Sequence, residues 1–228
     1  MELFKLLSLK NGVKADKAAK FAESSFRLVL VILSVAGLIW PDFIETYQAS
    51  LTYHALMTLA ITYIPDLLRA TTKIYIIPEF RFIYLVYVFV SQFLGEIADL
   101  YVTISWWDKM AHLISAFFIT IIGYVVVYLM TDDKVTGRRV SLTFATIFAF
   151  SFSAMKGVLW EVFEYLMDVA FRLNMQKSGL VDTMEDFIVC VAGSLLACII
   201  YIYETKKKRP AFVSRCINRF VETNKKTK

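Results

Sequence analysis

The segment Trp106-Trp107-Asp108-Lys109-Met110-Ala111-His112, running into LISAFFITIIGYVVVYLM over residues 113–130, decides the class of fold. About 20 consecutive apolar residues span the hydrocarbon core of a bilayer, and residues 110–130 have that length with His112 as their one ionisable side chain. The stretch is predicted to be a transmembrane helix. Its opening differs from its body, because Asp108, Lys109 and His112 crowd one end. Asp108 and His112 stand four apart and therefore share a helix face.

The same pattern repeats on both sides. Apolar runs at residues 25–40, closed by Pro41, and 50–64, closed by Pro65, precede it, and residues 80–97 follow Pro78. Residues 142–165 and 187–204 complete the set. The expectation is an all-α polytopic transmembrane bundle of about six helices, in a chain whose hydrophobic share is 58%. Residues 1–24 mix lysines with Leu, Phe and Ala, a composition suited to an amphipathic segment lying in the membrane interface. Residues 25–204 form the transmembrane domain. Residues 205–228, opening with Lys206-Lys207-Lys208-Arg209, read as a basic cytoplasmic tail. Lysines throughout the first twenty residues leave no clean apolar core for a cleavable signal peptide. The three cysteines have no paired spacing, so a disulfide framework or thiolate metal site is not expected; Cys190 and Cys198 read as apolar filler.

Charge sets an orientation. With both termini on one side, 21 of the 25 Lys and Arg residues fall on that side, and only Lys109, Arg172 and Lys177 fall opposite, with Lys156 inside the fifth run. Positive charge stays in the cytoplasm. The expected placement is therefore the plasma membrane, multi-pass, with both termini cytoplasmic. Membrane topology also accounts for the net charge of +5 without nucleic acid as a partner; the lipid bilayer is the expected one. Trp40, Trp106, Trp107 and Trp160 fall at the predicted external ends, as an aromatic belt would.

Ionisable residues at membrane depth are costly and mark function. In this topology Glu96/Asp99, Asp108/His112, Glu161/Glu164/Asp168 and Asp182/Asp186 all approach the external side, each set at helical spacing, with His54 near the same depth. Gathered carboxylates repel in a low dielectric. Protons, a cation, or Lys109, Lys156 and Arg172 must neutralise them. Plainer explanations exist for each: a capping box from Asp182 and Glu185, a helix-dipole partner in Asp108, solvation of Glu164 and Asp168 beyond a helix end, and a snorkelling Lys156.

Three ordered motifs, Trp107-Asp108-Lys109-x-x-His112, Trp160-Glu161-x-x-Glu164-Tyr165 and Asp182-Thr183-x-x-Asp186, with Leu94-Gly95-Glu96 and Ile77-Pro78 before them, resemble the uncharacterised bacterial YjdF-type membrane proteins. The resemblance covers residues 65–197. More distantly the chain is similar to VanZ-like envelope proteins, which share the Asp-Lys-x-x-His start, a glutamate-bearing helix and an aspartate-rich last helix with a later glycine, here Gly193. It differs from them in carrying Glu164 and Cys190 where those chains tend to have Gln and Asn. The YjdF-type resemblance implies a fold and a motif set, and no reaction.

No His-Glu-x-x-His, Gly-x-Ser-x-Gly or Glu-x-x-His motif occurs, which removes zincins, α/β-hydrolases and di-iron bundles of the usual kind. Three functions stay open. One is a metal-assisted hydrolase or transferase acting on a lipid-linked or envelope substrate. Asp108, His112, Asp182 and Asp186 would be the metal ligands, and Glu161, Glu164 and Lys156 the acid/base groups. Oxygen ligands with one imidazole favour manganese, zinc or iron. The second is a non-enzymatic envelope accessory protein. The third is an ion-coupled transporter, against which stands the lack of an inverted repeat or a Gly-interrupted helix pair.

Overall fold

Pro65 and Pro78 punctuate the first half of the chain: each sits in the first turn of a helix, where a missing N–H costs nothing and a fixed φ is already helical. The computed structural model describes residues 17, 20–33, 35, 48–131, 140–172, 175–176, 178–209 and 211–225, and every regular element among them is helical. Most of the amphipathic segment expected over residues 1–24 lies outside the described residues, as do Trp40, Pro41, Lys134, Arg138, Arg139 and Lys177.

Four helices among the described residues are long and apolar enough to cross a membrane: Pro78–Ile97, Trp107–Thr131, Leu142–Phe171 and Leu180–Lys206. The two N-terminal candidates are shorter over their described lengths, residues 20–33 and the 15 residues Gln48–Thr62.

The chain divides into two compact units, Met1–Ser105 and Trp106–Lys228. The first contains α1 (residues 20–33), α2 (Gln48–Thr62), α3 (Ile64–Thr72), α4 (Pro78–Val88) and the short α5 (Leu100–Thr103). Helix α4 runs on into nine residues of π-helix, Phe89–Ile97, where an ordinary α-helix was expected. Arg27 of α1 bonds Glu23 at 2.6 Å and Asp66 at 2.7 Å, and Arg81 of α4 bonds the same two acids at 2.5 and 3.0 Å. Arg27 also donates to the Thr62 carbonyl at 2.7 Å and lies 3.8 Å from the centre of the Tyr63 ring. Two arginines that the sequence reading counted only toward membrane orientation are thus the clamp joining α1, α3 and α4. His54 and Glu96 face each other in this unit at 3.9 Å.

The second unit is built from α6 (Trp107–Thr131), α7 (Leu142–Phe171), α8 (Leu180–Lys206) and α9 (Phe212–Lys225). Lipid tails give helices no hydrophobic reason to associate, so close packing and interhelical hydrogen bonds must supply it. Both are present. A Cβ on Gly193 of α8 would stand 2.3 Å from the Leu113 carbonyl oxygen of α6, and one on Gly123 of α6 would stand 2.8 Å from the Ala149 Cα of α7. Only hydrogen at these positions lets the backbones approach so closely. Ser153 of α7 donates to the Ala116 carbonyl of α6 at 3.0 Å, and Ser194 of α8 donates to Ser153 at 2.9 Å. Further along, the fully buried Tyr124 packs 4.2 Å from Tyr201 and donates to Thr146 at 2.9 Å.

The stretch expected as a basic tail contains α9. Val213, Ile217 and Phe220 recur at helical spacing and are buried, while Arg215 and Arg219 face outward. Glu204, at the end of α8, accepts from the Ser214 N–H at 2.7 Å and from its hydroxyl at 2.5 Å. A carboxylate there satisfies an otherwise unpaired donor of the α9 N-terminus and suits its positive dipole end.

Candidate functional site

Three helices of the second unit bring their polar faces together. Asp108 and His112 lie in the first two turns of α6, Glu161 and Glu164 in the second half of α7, and Asp182 and Asp186 in the first two turns of α8. Spacings of three and four keep each pair on one face, and that face turns inward. Asp108 is 8% exposed and Asp186 only 1%, and the other four fall between them.

Two triads of potential donors emerge, Asp108–His112–Asp186 and His112–Glu161–Glu164, each with its ligand atoms within 4.8 Å of one another. They meet at His112 from opposite edges of the ring. Asp108 Oδ1 is 3.6 Å from Nε2, and Glu161 Oε1 is 3.9 Å from Nδ1. Asp182 stands outside both triads, 3.5 Å from Lys109 Nζ, which also reaches the exposed Glu185 at 2.9 Å. Lys156 donates to Ser115 at 3.3 Å and lies 5.3 Å from the centre of the Trp160 ring, within electrostatic reach of Glu161 and Glu164. The Trp160 indole donates to Glu164 at 2.7 Å, so this tryptophan serves the pocket about three turns before the end of α7 and not a belt at its end.

The plainer explanations of these acids lose ground to helix boundaries. Helix α8 is capped by Gly179 at φ 66 with no side-chain cap bond, so Asp182 lies inside the helix and forms no capping box. Helix α7 continues to Phe171, which puts Glu164 in the helix and buried. Asp168 differs: it accepts from the Met175 and Gln176 N–H groups at 2.7 and 3.0 Å and organises the turn after α7. Both oxygens of Glu161, both of Asp186 and one of Asp182 are buried without a hydrogen-bond partner among the described residues. Thr183 stands near Glu161 but does not meet hydrogen-bond geometry. Buried carboxylate oxygens without donors are costly.

Cys190 was missed as a pocket residue. Its sulfur is 3.5 Å from His112 Nδ1, and its thiol points to the His112 carbonyl at 3.8 Å. Its place four residues after Asp186, on the same face of α8, was the available signal.

Donor atoms within 4.8 Å of each other can share one cation at bond lengths of about 2.0–2.4 Å. Carboxylates with one imidazole suit manganese, zinc or iron(II). Such an ion would supply the positive charge that the unpartnered oxygens lack.

The family model described as "Predicted membrane protein (DUF2238)" matches residues 26–207. An uncharacterised protein of Thermotoga maritima is 31% identical over 121 residues, which cover 52% of this chain and 59% of that relative. The chain thus spans little more than half the length of the curated relative it matches. No solved structure matches. Nothing in these matches extends the similarity to VanZ-like proteins.

Proposed function

The chain belongs to the DUF2238 family of predicted membrane proteins, and we propose that its second unit is a divalent-metal centre acting on a substrate at one face of the membrane. The observation that carries this is the pair of buried triads around His112, together with the Asp186 and Glu161 oxygens that lack a hydrogen-bond donor among the described residues. His112, Asp108 and Asp186 are the ligands, with Asp182 and its Lys109 partner beside them. A cation held there would supply Lewis acidity toward a substrate oxygen and toward water. Glu161 or Glu164 would serve as the base that accepts a proton from the attacking water, and Lys156 would balance charge. The substrate class is a lipid-linked or envelope molecule, because the ligands lie in the terminal turns of membrane-length helices. The reaction class is metal-assisted hydrolysis or group transfer. In the same proposal the chain crosses the plasma membrane six times with both termini inside, supported by the distribution of Lys and Arg.

Thermal melts of detergent-solubilised protein test this. A ligand bound only by the folded state stabilises it by RT ln(1 + [L]/Kd), about 2.7 kcal/mol at a hundredfold excess over Kd. Manganese or zinc should produce such a shift, and a chelator should reverse it. Asp186→Ala should abolish or reduce the shift yet leave the metal-free protein at or above wild-type stability, since an uncompensated buried carboxylate has gone. A flat response to manganese, zinc, magnesium and calcium, with the variant destabilised throughout, would instead make the acids structural and the protein an envelope accessory.

A further inference from the structure

We propose that the pocket takes two divalent cations, an inference that rests on the metal reading above and extends it. The two triads share His112 and nothing else. Asp108 approaches Nε2 while Glu161 approaches Nδ1, and a neutral imidazole has one acceptor nitrogen, its other nitrogen carrying hydrogen. His112 therefore serves a single cation. With that cation at Nε2, between Asp108 and Asp186, the Nδ1 side retains Glu161 and Glu164, whose base role in the one-ion reading gives way here to binding. Their oxygens are close enough to each other to share a second ion.

Charge leads to the same number. Asp108, Glu161, Glu164, Asp182 and Asp186 place five carboxylates in one buried pocket. Lys109 is shared with the exposed Glu185 at 2.9 Å, which leaves Lys156, among the described residues, as the cation committed to the interior. Two divalent ions with Lys156 balance the five carboxylates when all are ionised; one ion leaves two of them to be neutralised by protons. The unpartnered oxygens are likewise found in both halves, on Asp186 in one and on Glu161 in the other. A single ion beside His112 Nε2 answers the first and leaves the second without a partner. Two ions about 3.5–4 Å apart form the arrangement that clamps the attacking and leaving oxygens of a displacement, and carboxylates with two free oxygens are suited to bridge them.

The experiment counts metal in the full-length detergent-solubilised protein after loading with manganese and removal of unbound ion. Elemental analysis should give two manganese per chain, with the spin-coupled electron paramagnetic resonance signal of a pair. Glu161→Gln with Glu164→Gln should reduce the count to one and produce the six-line spectrum of isolated manganese. If that double variant does not fold, Glu164→Gln alone and the wild-type count still decide. One manganese per wild-type chain with only the six-line spectrum overturns the pair and leaves the metal centre standing. No bound manganese, zinc or iron overturns both. Two ions retained in the double variant overturn the placement of the second ion.

Discussion

Gly193→Ala probes whether helix contact sets the geometry of the pocket. The added Cβ would stand 2.3 Å from the Leu113 carbonyl oxygen, and close carbon–oxygen contacts lie near 3.3 Å or beyond. Helices α6 and α8 must therefore part locally by roughly 1 Å. Overpacking of this kind costs about 1–3 kcal/mol, offset in part by the ~1 kcal/mol helix preference of Ala over Gly. The larger effect falls on the site. Leu113 follows His112 directly, and Gly193 is seven residues beyond Asp186 on the same face of α8. Metal–ligand distances tolerate about 0.2 Å, so a separation of this size moves Asp186 out of reach of an ion on His112. The expected result is a net destabilisation of up to about 2 kcal/mol in denaturant melts of solubilised protein, with the metal-dependent shift lost or reduced. Gly157→Ala is the control, because its Cβ would meet only the Cys190 side chain, its sulfur at an ordinary 3.6 Å and its Cβ at 3.7 Å; it should leave both readings close to wild type. Equal behaviour of the two variants would refute the claim that the α6–α8 crossing positions the ligands.

Glu23→Ala should cost the first unit about 3–5 kcal/mol in the same melts, because it leaves two largely buried arginines without a partner they now share. Asp66→Asn should cost less, its side chain being 41% exposed. Burial pushes the Asp66 carboxyl up, but hydrogen bonds from Arg27 and Arg81 outweigh it and hold the group below the usual aspartate value. Its contribution is therefore complete above the unfolded aspartate range near pH 4 and is lost as pH falls through the lower folded value; the variant should flatten that acid limb of a stability–pH curve. Cysteine introduced at Thr103 should react with an impermeant reagent on intact cells and cysteine at Lys207 should not, with little background from the buried Cys190, Cys198 and Cys216. The opposite pattern would reverse the orientation inferred from Lys and Arg.

Much of the second unit was legible because membrane helices announce themselves by length, and α6 and the start of α7 matched their apolar runs closely. The pocket was legible in outline because spacings of three and four fix a common face whatever the helix boundaries. Other features depended on contacts that no local pattern encodes. The clamp of Glu23, Arg27, Asp66 and Arg81 joins residues up to 58 positions apart, and loop-charge counting had no means of pairing them. Helix α9 has a mixed, charged composition, and the Glu204 carboxylate that anchors it belongs to the preceding helix.

The most informative departures lie at the ends of α7 and α8. Residues 142–165 and 187–204 were expected where the helices extend to Phe171 and begin at Leu180, the second run opening only after the acids Asp182, Glu185 and Asp186. Backbone hydrogen bonds carry those helices onward regardless of side-chain polarity, because a peptide group near the bilayer core has no water to replace them. The roughly two added turns of α8 are where Asp182 and Asp186 sit, turned into the bundle and buried. In a soluble helix such acids would sit on the solvated face and mean little. At the end of a membrane helix they must find a cation, a proton or a donor, and for Asp186 no donor stands among the described residues. At α8 the residues that shortened the apolar run, Asp182 and Asp186, are therefore ones that define the pocket, and there the mismatch between hydropathy and helix length is itself the signal that locates it.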